Sequence, residues 1–455
     1  MAEPVPVEDP AAGRIRVGSV WLLTSFTDGQ GAVSYGYDAG NELVSASEPG
    51  GDCTTNPGVN CTRFGYNANG ARISTTYPGG TVQNTTVDPS GRPLRITAAG
   101  PGANGAGTGT VFSDLGYSYT TGSADRSLLQ TRTNTVAEGA PNGSTTAYTY
   151  DSLNRLTTAA ENLPGGGLNA AWSYAYDGAG NKTAQRVVVP GGQAFETGYS
   201  YSADDRLTQV NGSTANIGSN NGNQTSYPAT AALPGNMDAG SPQTSTNYDT
   251  ANHSYIQNSG GTPVTMTYLN PDQNQRITAG GTYYGTGVLG VSSQTTNAAT
   301  TAFTRTPGGS LISERTSAGN VYYLTDNQGS VIGMVNDQGQ KVAGYSYTPY
   351  GQTRTITGTA TGDLTQANNN PYRYTSGYLD PTSNLYKLGY RYYDPTQGRF
   401  TQPDPSGKES NPYAYAGDNP TNATDPKGLF SFCSNVEVPA VLARSYGSLD
   451  DGFPA

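Results

Sequence analysis

Histidine is almost missing: His253 is the single one in 455 residues. A Ser-His-Asp or Cys-His site would have to be built on it. Its surroundings, TANHSYIQ, are polar and suit an exposed loop or a strand end. Cysteine is nearly as scarce, with three residues and no CxxC pair, so neither a metal site nor a cofactor is expected. Cys53 and Cys61 bracket the loop CTTNPGVNC, and whether they pair stays open; Cys433 is the odd one. Charged residues are 13% of the chain, where about 25% is usual, which argues against a coiled coil or helical bundle. The net charge is −10 and Lys and Arg never cluster, so there is no basic face to neutralise nucleic-acid phosphates. No stretch approaches the roughly 18 apolar residues of a membrane-spanning helix. The start, MAEPVPVEDP, lacks the charged and apolar regions of a secretory signal.

What the chain has is glycine, proline and tyrosine. Gly 61 and Pro 29 together make up about a fifth of it, which leaves little room for long helices. Tyr 33 against Phe 9 shows which aromatic fills the core. Tyrosine suits a half-buried pleated surface, with an apolar ring and a hydroxyl that reaches water or backbone. The composition predicts an all-β fold.

A repeat sets its form. SYGYDAGNELVSAS (34–47), RFGYNANGARISTT (63–76), YTYDSLNRLTTAA (148–160), YAYDGAGNKTAQR (174–186) and YSYSADDRLTQV (199–210) share the unit Y-x-Y-D-x-x-G/N-x-L. Tyrosines two apart, such as Tyr35 and Tyr37 or Tyr174 and Tyr176, lie on one face of a strand. The following D-x-x-G/N is turn chemistry, because Asp accepts from backbone two residues on and Gly or Asn tolerates positive φ. Each unit therefore reads as a hairpin, and single hairpins must stack to be stable. The unit resembles the YD repeat of Rhs proteins, wall-associated bacterial proteins and teneurins, which implies hairpins spiralling into a large β-sheet shell or barrel, here expected as a partial one.

The chain divides into an irregular segment (1–29), a repeat sheet (30–320), a denser block (321–429) and a short tail (430–455). Within the repeat region, 211–250 looks like an insertion and 251–320 like degenerate strands. The denser block holds YYLTDNQGS, SGYLDPTSNLY, GYRYYDPTQGRF, PDPSG, NPYAYAGDNP and TDPKGL in order. This series is similar to the core domain of Rhs proteins and to the C proteins of insecticidal toxin complexes. The resemblance implies an inward-turned plug that ends the shell.

Two Asp-Pro-x-Gly elements carry the candidate chemistry: Asp404-Pro405-Ser406-Gly407 and Asp425-Pro426-Lys427-Gly428. Each is first of all a turn, with Pro at its second position and Gly at its fourth. Two carboxylates brought together share a proton, so one can activate water while the other polarises a carbonyl. That is amide hydrolysis without histidine or metal. The resemblance implies aspartyl-type self-cleavage after the DPxGL leucine, which here is the Leu429–Phe430 bond with Asp404 and Asp425 as the dyad. Arg399 is the expected orienter of a carboxylate or oxyanion; Asp394 and Asp418 are spare carboxylates, Asp394 capping the DPTQG turn.

The reading is thus the C-terminal part of a polymorphic toxin whose shell encapsulates a cargo polypeptide. Its implied partners are that cargo, a secretion apparatus and, in intact relatives, an immunity protein. Its implied place is secreted or cell-surface, with an N-terminally truncated fragment as the expectation for the chain itself. The 26 residues after Leu429 are too few to hold a toxin enzyme. The alternative is a non-catalytic adhesion protein whose tyrosine-rich sheet binds glycans or neighbouring cells.

Overall fold

The computed structural model is all-β, built from long antiparallel meanders. It describes residues 14–17, 22–136, 142–215 and 221–433, apart from short breaks within 235–241, 260–274, 288, 359–365 and 382. Most of the segment 1–29 and most of the tail 430–455 lie outside the described residues. A 17-stranded sheet runs from Arg14–Val17 to Ser213–Thr214, each strand pairing with the next. Only the small hairpin of Thr120–Thr121 and Ala124–Asp125 stands aside, so that Val111–Ser118 pairs directly with Thr131–Val136. A second sheet of 13 strands runs from Ser226–Tyr227 to Thr353–Gly358. Among the described residues neither closes on itself. The break between them falls within the expected repeat region, while position 321 is no break: Gly319–Thr325 pairs on both sides within the second sheet.

Each repeat builds its turn from one aspartate. Asp151 Oδ1 accepts the amides of Leu153 and Arg155 at 2.9 and 3.0 Å, and Oδ2 holds Arg155 Nε at 2.7 Å. Asp177 treats Ala179 and Asn181 in the same way, and Asp326 does so for Gln328 and Ser330. His253 is a member of this series. It stands four residues after Asp249, holds Asp249 Oδ2 at 2.7 Å and stacks on Tyr268 at 4.4 Å. The exposed position expected for it is therefore corrected: it is buried, because the repeat turn folds the residue after the loop back over the next strand.

The second tyrosine of each pair links one repeat to the one before. Its hydroxyl donates to a backbone carbonyl at the start of the preceding unit's strand: Tyr37 to Leu23, Tyr66 to Leu43, Tyr150 to Leu129, Tyr176 to Leu156 and Tyr201 to Lys182. Tyr268 and Tyr347, from segments that look degenerate or merely sheet-like, reach Ser254 and Val331 in the same way. All seven bonds measure 2.6–2.9 Å. The ladder register shifts at each of these tyrosines, a bulge that lets the hydroxyl turn off the strand. The first tyrosine of the pair is buried in the core.

The two sheets lie against each other. Tyr77 of the first donates to the Tyr323 carbonyl of the second at 2.7 Å, and Tyr35 to that of Arg305 at 2.6 Å. Phe26, Val33 and Phe64 share a core with Ile312, Tyr322 and Leu324. Ion pairs cross between the sheets as well, Arg315 with Asp28 and Arg354 with Glu161. Burial raises the Asp28 carboxyl even so. A cavity lined by Ser113, Arg132, Asp326 and Ser346 measures about 40 Å³, room for a water or two. Cys53 and Cys61 do pair, with their Cα atoms 5.4 Å apart. No helix among the described residues is long and apolar enough to cross a membrane.

If the tyrosine link matters, Tyr347→Phe strands the Val331 carbonyl and lowers the unfolding free energy by about 1–2 kcal/mol in urea titration. Tyr283→Phe, on a ring that is 65% exposed, leaves the midpoint unchanged.

Candidate functional site

The last described segment caps the turn ends of the repeats. Its small four-stranded sheet spans Tyr378–Leu379, Tyr386–Leu388, Arg391–Asp394 and Arg399–Phe400. Tyr393, Phe400 and Tyr415, all fully buried, form its core with Tyr374 and Tyr386. From this core, side chains reach the repeat turns. Asn411 donates to the Ala179 carbonyl at 3.2 Å, Tyr413 to Gly222 at 2.7 Å and Gln402 to Asn252 at 3.1 Å. Asn422 accepts the Leu129 amide at 2.8 Å. The plug thereby fixes where its own loops stand.

Both Asp-Pro-x-Gly elements are turns of the repeat's kind. Asp404 Oδ1 accepts the Ser406 amide at 2.9 Å, and Oδ2 those of Lys408 and Glu409 at 2.9 and 3.1 Å. Asp425 Oδ1 accepts the Leu429 amide at 3.1 Å. Gly428 holds a left-handed φ of 62°, where a Cβ would stand 2.5 Å from the Leu388 carbonyl oxygen. The turns alone would explain these contacts. What exceeds them is that both converge on one residue, Leu429. Its amide lies on Asp425, and its carbonyl accepts from Ser406 Oγ at 2.9 Å. The same Oγ lies 2.8 Å from both carboxylate oxygens of Asp404.

Arg391 joins the two turns. Fully buried, it donates to Asp425 Oδ2 at 3.1 Å, to the Gly428 carbonyl at 2.7 Å and to the Pro412 carbonyl at 2.9 Å. That Pro412 oxygen also accepts the Asp404 amide at 2.8 Å. Burial pulls the Arg391 guanidinium down from its usual range, opposed by Asp425, Asp404 and Glu409. Burial pushes the Asp425 carboxyl up to about 6, with Arg391 opposing. The chain beyond Leu429 is held too. The Lys408 ammonium lies 5.1 Å from the centre of the Phe430 ring, and Glu409 accepts both the amide and the hydroxyl of Ser431 at 3.1 Å.

Of the residues singled out from sequence, Asp404, Asp425, Leu429 and Phe430 are thus brought together. Arg399 is not placed with them. Its guanidinium donates to the Asp205 carbonyl at 2.7 Å and lies over the rings of Tyr201 and Tyr413. The expectation that Arg399 orients the carboxylates is corrected in favour of Arg391, because Arg399 sits across the ladder from Asp394 and serves the seam with the repeat turns. Asp394 caps its own turn at the Thr396 amide, 2.8 Å away. Asp418 is buried elsewhere in that seam and raised to about 7 by burial, with Lys182, Arg155 and Arg399 opposing. Arg391, Ser406 and Glu409 went unread. Arg391 is one of two arginines flanking the RYYDP turn, and Ser406 occupies the unspecified position of its own motif.

The Teneurin YD-shell family model matches residues 235–424. The tRNA3(Ser)-specific nuclease WapA of Bacillus spizizenii is 28% identical over 56% of the chain. Toxin protein Tse5 of Pseudomonas aeruginosa is 47% identical over 17% of the chain. The chain spans a small part of each, 11% of the nuclease and 6% of the toxin. In the crystal structure of TcdB2-TccC3-Cdc42, 95% of the chain superposes on 22% of a longer one, with a TM-score of 0.64 and 18% identity. That likeness is one of fold.

Removing Arg391 takes away the charge that opposes burial at Asp425, so this carboxyl should rise further and lose its partner in the interior. Arg391→Leu is expected to cost about 3–5 kcal/mol by chemical unfolding, and adding Asp425→Asn should restore part of the loss. Equal destabilisation in the single and double variants would show that the ion pair is not what the arginine supplies.

Proposed function

The chain is a YD-repeat protein of the Rhs and teneurin-shell kind, and on that footing we propose that it cuts itself at the Leu429–Phe430 bond. The observation that carries this reading is that Leu429 is held on both sides, its amide on Asp425 and its carbonyl on the Ser406–Asp404 pair. Substrate and catalyst belong to one chain, so the fold supplies the positioning that a bimolecular enzyme must gain by binding. Asp425 Oδ1 stands on the Leu429 amide, two covalent bonds from the carbonyl carbon. It is the base in this reading, taking a proton from the attacking water. A carboxyl raised to about 6 is a stronger base than an ordinary aspartate and is still mostly ionised at neutral pH. Asp404 acts on the carbonyl side, and Arg391 keeps the two carboxylates close without their repelling each other apart.

In the same reading the chain is one sector of shell wall with its terminal plug, from a secreted toxin whose cargo lies beyond Leu429. The inner faces of its two sheets are packed on each other, so a cargo chamber would take more wall than these sheets provide. The relatives' names, a nuclease and a toxin, agree with a delivered cargo. Among the described residues, the tyrosines available for glycan stacking are largely committed to the core and to backbone carbonyls.

Intact-mass measurement on purified protein should find a chain ending at Leu429 and a separate fragment beginning at Phe430. Asp425→Asn should remain whole, and Asp404→Asn should be cut much more slowly than the wild type. A wild type found only at full mass removes the reading. Because Asp425 must be ionised, the cleavage rate should fall about tenfold per pH unit below about 6 and level off above it.

A further inference from the structure

The Ser406 hydroxyl owns one proton and stands within hydrogen-bond distance of three acceptors: both Asp404 oxygens at 2.8 Å and the Leu429 carbonyl oxygen at 2.9 Å. Asp404 does not depend on that proton. Three backbone amides, those of Ser406, Lys408 and Glu409, already hold its carboxylate. The Leu429 oxygen is in the opposite position, since Ser406 is the donor the structure places on it. When the carbonyl carbon is attacked, negative charge gathers on this oxygen and the attraction for a donor rises there, while the charge on Asp404 is unchanged. The proton therefore swings to the carbonyl.

We propose that the Ser406 hydroxyl is the hydrogen-bond donor to the Leu429 oxyanion, and that Asp404 acts on the bond only by holding Ser406 and its loop in place. The inference rests on the self-cleavage reading above. Written through, the water oxygen bonds to the Leu429 carbonyl carbon and its proton passes to Asp425. The carbonyl π electrons move onto the Leu429 oxygen, where the Ser406 O–H meets them. On collapse these electrons re-form the C=O bond and the bond to the Phe430 nitrogen breaks. That nitrogen keeps the bonding pair and takes the proton from Asp425. Leu429 ends as a carboxylic acid and Phe430 as an amine, with Asp425, Asp404 and Ser406 restored.

The role separates Asp404 from Asp425. A base is needed for its charge, whereas Asp404 in this scheme is needed for where it puts a hydroxyl. Loss of a single oxyanion donor slows catalysis by about 100- to 1,000-fold in a protease where it has been measured. The full-length chain made by cell-free translation, with cleavage followed over time on gels and by intact mass, gives the rate before the product accumulates. Ser406→Ala should slow cutting about 100-fold or more, and Ser406→Thr, which restores a hydroxyl, should recover most of it. The slowed Ser406→Ala chain should keep the loss of rate below pH about 6, since Asp425 is untouched. A merely structural role for Ser406 would instead show as a lowered unfolding midpoint without rescue by threonine. Cleavage by Ser406→Ala within threefold of wild type, or threonine no faster than alanine, overturns the proposal while leaving self-cleavage intact. A wild type that never cuts overturns both.

Discussion

A tyrosine hydroxyl that reaches back one repeat to a buried carbonyl is the contact on which the architecture depends. Hairpins paired only through their ladders would form a sheet free to twist and slide, because backbone bonding is indifferent to which hairpin comes next. The bond from Tyr176 to Leu156, or from Tyr347 to Val331, fixes each unit relative to its predecessor. It does so at the bulge, where the ladder would otherwise leave a polar group without a partner. Repetition turns a modest bond into a wall of fixed curvature, each unit contributing about 1 kcal/mol.

The aspartate turn is the second reused device, and the plug borrows it. In Asp151 or Asp177 the carboxylate closes a hairpin and holds the side chain that ends its turn, Arg155 or Asn181. In Asp425 the same folding of carboxylate over backbone takes in the Leu429 amide, whereas Asp404 caps Ser406, Lys408 and Glu409 and reaches Leu429 only through the Ser406 hydroxyl. The difference lies in what surrounds the turn. The repeat turns of Asp151 and Asp177 are partly hydrated and hydrogen bonds lower their carboxyls, whereas burial raises that of Asp326. Asp425 is buried beside a buried arginine, and desolvation outweighs the pairing. What sets the Asp425 turn apart is the buried arginine beside it and the Leu429 amide that it holds.

Much of this was legible in the residues. The all-β class, the period-two tyrosines, the turn after each pair and the two Asp-Pro-x-Gly elements all follow from short-range rules. Such rules act within about five residues and need no fold to be read. Arg399 shows where they run out. Two arginines flank the RYYDP turn on adjacent strands, and the sequence does not say which faces the second Asp-Pro-x-Gly loop, more than 20 residues away. His253 was misplaced for a related reason: its neighbours are polar, and its burial comes from a tyrosine fifteen residues on.

By itself, then, the chain of residues determined local geometry: which segments are strands, where they turn, and which aspartates fold over which amides. These depend on backbone sterics and on hydrogen bonds between near neighbours. Only the tertiary structure decided that the wall parts into two facing sheets, that Arg391 rather than Arg399 pairs with Asp425, and that Ser406 meets the Leu429 oxygen. Those contacts join turns separated by about twenty residues or more, held together by the packing of Tyr374, Tyr393, Phe400 and Tyr415. Packing of that kind satisfies all its partners at once, and no single stretch of sequence carries it.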